Sequence, residues 1–347
     1  MATTTTDLRR RAMAATRTRS NVDLVTGLLA LAMTFGTYAD GWAHTHLIDD
    51  LESFFTPWHG LLYAGYAAVA VWIGLHRDRP GYKLGFAGAL LFGAGGMVDM
   101  VWHTLFGIEA DAEALISPPH LLLFAAHLMI VSTPLRAAWI SASDRNIDWR
   151  SFTAPALSLV GLVASISFMF MYATPMNDWL PSERFGAGVF GPETRFRLAQ
   201  KGALGSYLWS SVMYTTPLLA VLTRWRPPFG TATLAIGIAS VGIAVIDPLL
   251  LGAPQLALAG IVMGFVADVL IALLDPSPDR SSAYRLFGAL VPIALPVVSL
   301  SLIAARWGLA WTAPLIGGAV LLTAMIGLGL AVVLSLPRAA AAEVVAR

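Results

Sequence analysis

The chain has 347 residues, of which 57% are hydrophobic and 12% charged, with a formal net charge of +1. Soluble proteins carry about 25% charged residues, so the composition is that of a membrane protein, and no basic patch with interleaved aromatics points to nucleic acid. The absence of cysteine excludes disulfides, thiolate-bound zinc, iron–sulfur clusters and thiol nucleophiles, leaving nitrogen, carboxylate or thioether ligands for any metal.

Residues 1–21 contain Arg9, Arg10, Arg11, Arg17 and Arg19. They are expected to form a basic cytoplasmic tail, because the apolar run that follows is long for a signal-peptide core. Apolar runs of about 20 residues, enough to cross a hydrocarbon core of about 30 Å, then predict ten spans. These lie at about 22–43, 57–75, 83–106, 118–138, 153–174, 205–223, 229–250, 255–274, 286–305 and 312–336. Prolines such as Pro57, Pro118 and Pro254 mark their ends.

The expected fold is an all-α polytopic membrane protein of about ten transmembrane helices. With the N-terminus inside, 17 of the 22 Lys and Arg residues fall on cytoplasmic segments and 5 outside, as the positive-inside rule requires. Both termini are therefore expected in the cytoplasm of a multi-pass protein of the cell (cytoplasmic or inner) membrane. Residues 22–140 read as two duplicated helical hairpins, and 141–347 as a six-helix bundle. A long outer loop at about 175–204, carrying Trp179, Phe185, Phe190 and Phe196, is expected to cover the outer face.

The duplication is explicit between Tyr38 and His127. The first copy reads Asp40-Gly-Trp-Ala-His44-Thr, an acidic segment, then Thr56-Pro-Trp-His59-Gly-Leu-Leu-Tyr63-Ala. The second reads Asp99-Met-Val-Trp-His103-Thr, an acidic segment, then Ser117-Pro-Pro-His120-Leu-Leu-Leu-Phe124-Ala. Both fit D-x3-H-T followed by [ST]-P-x-H-x-L-L-[YF]-A. The span order puts both copies at the outer surface.

Residues four apart share one helix face, so Asp40 with His44, and Asp99 with His103, converge on one point each. His59 and His120, aimed by the prolines that start the next helices, complete two sets of two histidines and one carboxylate. Such sets suit copper, zinc or non-haem iron and leave a coordination position open. A divalent ion would neutralise a carboxylate that is otherwise costly within a membrane. The alternative is interfacial anchoring of helices by the same histidines.

Other polar residues are less specific. Glu109, Asp111 and Glu113 form an acidic loop, either simply solvated or collecting cations, and Glu109, Asp111 and His127 are candidates for proton transfer. His46 reads as a loop residue or an auxiliary ligand, and His76 as solvated. Met169, Met171 and Met176 read as packing residues, or as soft ligands for copper(I). Asp247 and Asp268 are intramembrane acids, with helix pairing the simpler reading for Asp268.

At the duplicated residues the chain resembles the transmembrane C subunit of the copper membrane monooxygenases, the particulate methane and ammonia monooxygenases. The resemblance covers about 90 residues. It maps Asp40, His44 and His59 onto one metal set and Asp99, His103 and His120 onto the other. The second set starts with Asp where that family has Asn, and the loops are longer here. The resemblance implies copper near the outer face and oxidation of a small hydrophobic substrate by dioxygen, with additional membrane subunits as partners. A metal transporter or metal-delivery protein, and a non-catalytic subunit of a membrane complex, are the competing expectations.

Overall fold

The computed structural model describes residues 2–47, 55–107, 113–141, 144–175, 180–182, 192–246 and 254–336. The helices are α1 (Ala2–His46), α2 (Pro57–Leu75), α3 (Lys83–Phe106), the single turn α4 (Glu113–Ile116), α5 (Pro118–Val131) and α6 (Thr133–Ser141). They continue with α7 (Trp149–Met169), α8 (Pro192–Leu222), α9 (Thr231–Ile246), α10 (Ala257–Leu274), α11 (Ser281–Leu290), α12 (Ala294–Trp307) and α13 (Ala313–Leu334).

Among the described residues, eight helical segments are long and apolar enough to cross a membrane. α5 with α6, and α11 with α12, each count as one such segment. The two remaining predicted spans fall on α9, which has 16 residues, and on the second part of the 31-residue α8. The N-terminal segment is helical from Ala2 and continuous with the first span, and α8 begins at Pro192, within the stretch expected as an outer loop at 175–204.

Local chemistry sets the helix starts that matter for the site. Thr56 caps α2 by accepting a hydrogen bond from the His59 N–H, and Pro57 occupies the first helical position, where its missing N–H is harmless. α5 also starts with prolines, at its first two positions after Ser117, but Ser117 makes no side-chain cap bond. α3 ends where Gly107 takes φ 84°, a left-handed conformation that favours glycine, and donates its N–H to the His103 carbonyl.

α1 and α2 touch at backbone distance. A Cβ on Gly36 would lie 2.7 Å from Leu62 Cα, and one on Gly65 would lie 2.8 Å from Met33 Cα. Small residues at helix contacts are how membrane helices gain dispersion energy where lipid offers no hydrophobic driving force. α3 packs on α5 in the same hairpin fashion. These four helices enclose an apolar cluster around Met33, Ile73, Phe92 and Ile130. The later helices enclose a second cluster around Phe152, Tyr214, Trp225 and Phe287. α7 joins the two halves by packing on α1, with Tyr38 Oη donating to the Ala164 carbonyl at 2.8 Å.

Candidate metal centre

The ends of α1 and α3 and the beginnings of α2 and α5 meet at one end of the N-terminal bundle. Asp40 and His44 lie in the last turns of α1, and Asp99 and His103 in the last turns of α3. His59 and His120 are each the third residue of their helices, His59 two positions after Pro57 and His120 directly after Pro119.

All six residues singled out by the repeat are brought together, three and three. Asp40 Oδ2 lies 3.9 Å from His44 Nε2 and 3.6 Å from His59 Nε2. Asp99 Oδ1 lies 3.4 Å from His103 Nε2 and 3.3 Å from His120 Nε2. Each set has the ligand atoms and spacing to hold one metal ion.

These separations exceed the 2.7–3.2 Å of a good N–H···O hydrogen bond. They are close to the ~3.3 Å that separates two ligand atoms bound tetrahedrally to one ion at about 2.0–2.1 Å each. Asp99 is only 1% exposed, and an uncompensated carboxylate that deep is expensive. Asp40 Oδ1 and His44 Nδ1 are buried with no hydrogen-bond partner among the described residues. A cation between the donors fits all of these observations.

The far sides of the imidazoles strengthen the fit. His59 Nδ1 is 3.2 Å from Thr56 Oγ1, His120 Nδ1 is 2.9 Å from Ser117 Oγ, and His103 Nδ1 is 3.1 Å from the Gly107 carbonyl. In three of the four histidines Nε2 thus faces the carboxylate while Nδ1 is tied elsewhere. Metal-ligating histidines are held in this way, because the outer hydrogen bond fixes ring orientation and tautomer.

The two sets are neighbours. The imidazole centroids of His44 and His59 are 5.8 Å apart, those of His59 and His103 6.5 Å, and those of His103 and His120 5.6 Å. The step between sets is therefore hardly longer than the step within one. Tyr63 lies one turn below His59, with ring centroids 6.4 Å apart.

Comparison with protein-family models, with curated proteins and with solved structures gives no match. The resemblance to the monooxygenase subunit therefore rests on the motif residues alone.

The remaining sequence candidates are placed elsewhere or lie outside the described residues. His127 is buried below the site, and its Nε2 is 3.0 Å from Thr34 Oγ1. His46 is the last residue of α1 rather than part of a loop, and it stacks on Trp42. His76 Nδ1 meets the Trp72 carbonyl at 2.8 Å. Met169 is buried, and Met171 packs against the cluster of the later helices. Asp268 is committed to structure: it accepts from the Ala232 N–H at 3.0 Å, the Thr233 N–H at 2.9 Å and the Thr233 hydroxyl at 2.6 Å, capping α9 from α10. Glu109, Asp111, Asp247 and Met176 lie outside the described residues, as does the side chain of Glu113.

Three contributions were not assigned from sequence. Thr56 and Ser117 stand in the motif three residues before each leading histidine, so their partnership with Nδ1 was available to helix geometry. The Gly107 carbonyl carries no sequence signal. The glycines that shape the space beside His59, described below, were also missed.

Proposed function

We propose that this chain is an integral-membrane metalloprotein that holds copper in the two adjacent Asp-His-His sets and oxidises a hydrophobic molecule with dioxygen. With the orientation expected from the charge distribution, the centre lies near the outer face of the membrane. The observation that carries the proposal is the convergence of six duplicated side chains, with Nε2 turned toward the carboxylate and Nδ1 anchored in His59, His103 and His120.

Copper bound there supplies dioxygen binding and one-electron redox chemistry. The chain's own contribution is positional. Asp40 and Asp99 provide the negative charge that retains a cation. The four histidines set its geometry, and Thr56, Ser117 and the Gly107 carbonyl orient three of them. The apolar surroundings limit water access, which strengthens each electrostatic contact. Zinc and non-haem iron suit the same donors.

Transport or delivery of metal would need a trail of ligands leading away from the two sets. Asp268 is occupied in capping α9, and His127 is bonded to Thr34. These assignments favour a fixed site over a path.

The test is elemental analysis and paramagnetic resonance of detergent-purified protein, beside His44→Ala and His103→Ala. Stoichiometric copper that is lost in both variants supports the proposal. Stoichiometric zinc or iron changes the metal. Folded wild-type protein that takes up no metal overturns the proposal and leaves a non-catalytic subunit as the reading.

A further inference from the structure

Beside His59, between α2 and α3, the structure has a cleft of about 690 Å³ whose wall includes Phe55, His59, Tyr63, Tyr66, Met97 and Met100. Three glycines shape it. A Cβ on Gly93 would lie 2.5 Å from Tyr66 Oη, and one on Gly96 would lie 2.5 Å from Tyr63 Oη, so both phenols rest directly on the α3 backbone. At Gly60 a Cβ would meet nothing within 4 Å. Met97 is 64% exposed in the middle of an apolar span, so the mouth of the cleft opens sideways, toward lipid.

The duplicated register places different residues at the two equivalent crossings. Counting back six residues from Asp99 and Asp40 pairs Gly93 with Thr34, and counting on seven from His59 and His120 pairs Tyr66 with His127. At the α1–α5 crossing Thr34 and His127 are both buried and hydrogen-bonded to each other. At the α2–α3 crossing the same positions hold a glycine and a tyrosine whose hydroxyl turns to the Ala89 carbonyl at 2.8 Å.

Shape and surroundings identify the occupant. Cavities of about 300–1,000 Å³ hold molecules of drug size, so the space far exceeds a substrate of one or two carbons. From Pro57 to Tyr66 the wall runs nine residues along α2, about 13 Å at 1.5 Å per residue. Its long axis therefore follows the helices, parallel to the hydrocarbon chains of a bilayer. The methionines provide an adaptable apolar lining, and among the described residues no Asp, Glu, Lys or Arg contributes to the wall.

We propose that the α2–α3 cleft binds one linear alkyl chain taken from the bilayer and lays it alongside His59. The identification of that chain as the substrate rests on the metalloenzyme reading above, whereas the binding itself does not.

The experiment uses the full chain in lipid nanodiscs with a medium-chain fatty alcohol carrying a diazirine, photolysed and mapped by peptide mass spectrometry. The variants are Gly60→Phe, which builds into the cleft from a position where a Cβ meets no described atom within 4 Å, and His103→Ala, which removes a proposed metal ligand outside the cleft wall. The expected result is labelling concentrated on the Gly60–Tyr66 and Gly93–Met100 segments, reduced about tenfold in Gly60→Phe and retained in His103→Ala. Labelling spread evenly over lipid-facing helices, or insensitive to Gly60→Phe, overturns the cleft. Concentrated labelling of a protein that binds no metal sustains the cleft and rejects only the metalloenzyme reading. Stoichiometric metal with diffuse labelling does the reverse.

Discussion

His59 on α2 and His103 on α3 lie with ring centroids 6.5 Å apart, although they belong to different copies of the repeat. The contact joins the two Asp-His-His sets into one region. It also places α2, the helix whose Gly60 face is open, next to the more deeply buried of the two aspartates.

The hydrogen bonds behind the histidines separate metal orientation from helix stability. Ser117 Oγ meets His120 Nδ1 but makes no side-chain cap bond to α5, whereas Thr56 Oγ1 meets His59 Nδ1 and also caps α2. Ser117→Ala is expected to weaken metal affinity by about 10–100-fold with little change in thermal midpoint. Thr56→Val is expected to weaken affinity similarly and to lose about 1 kcal/mol of stability with the cap. Metal titration and thermal unfolding of the two variants in detergent check the contrast.

The backbone contact of α1 and α2 sets the distance from Asp40 to His59. Gly36→Ala puts a methyl group within 2.7 Å of Leu62 Cα, which the helices relieve only by moving apart. A destabilisation of about 1–3 kcal/mol, in the range for overpacking, is expected, together with loss of metal from the first set before the second. Metal stoichiometry falling from two toward one while the protein remains folded would verify it.

Asp268 serves as a cap rather than as chemistry. Asp268→Ala leaves the Ala232 and Thr233 N–H groups at the buried start of α9 without their acceptor. A loss of about 1–3 kcal/mol per orphaned group is expected, with metal content per folded molecule unchanged. A variant that folds normally but binds less metal would contradict this assignment.

At the opposite end of the structure from the centre, Asp275 gathers Arg145 at 2.8 Å, Arg280 at 3.0 Å and Arg226 at 3.6 Å. Burial raises its pKa, but hydrogen bonds from Arg145 and Arg280 and the charges of Arg145 and Arg226 outweigh burial and hold the carboxyl below the usual carboxylate range. A depressed folded-state pKa contributes stability that is present above the unfolded value, about 3.9. That stability is lost as pH falls through the folded value. Asp275 sits at φ 46°, a conformation that Asn tolerates, so Asp275→Asn isolates the charge. The variant is expected to be less stable than wild type at pH 7 by under about 1 kcal/mol, given the solvent exposure of the cluster. The difference should start to shrink as pH falls below about 4 and vanish once pH has passed the depressed folded-state value, as thermal midpoints measured across that range would record.

Much of the site was legible before any fold was known, for a specific reason. A four-residue spacing puts Asp40 and His44, or Asp99 and His103, on one helical face wherever the helix lies, and a proline directly after the Thr or Ser that opens the next motif half fixes where that helix starts. Apolar runs of bilayer length located the eight long segments for the same local reason. The first part of α8, Pro192–Lys201, is helical but too polar to register as an apolar span.

Residue order alone therefore determined that this is a helical membrane protein and which six side chains form two candidate ligand sets, since both follow from periodicities within single helices. Only the tertiary structure decided that the sets adjoin, that Asp268 caps a neighbouring helix, and that a cleft lies beside His59 at one crossing while Thr34 and His127 are hydrogen-bonded at its counterpart. Those outcomes depend on how closely separate helices approach, and that is fixed by glycines and hydrogen bonds acting between segments far apart in the chain.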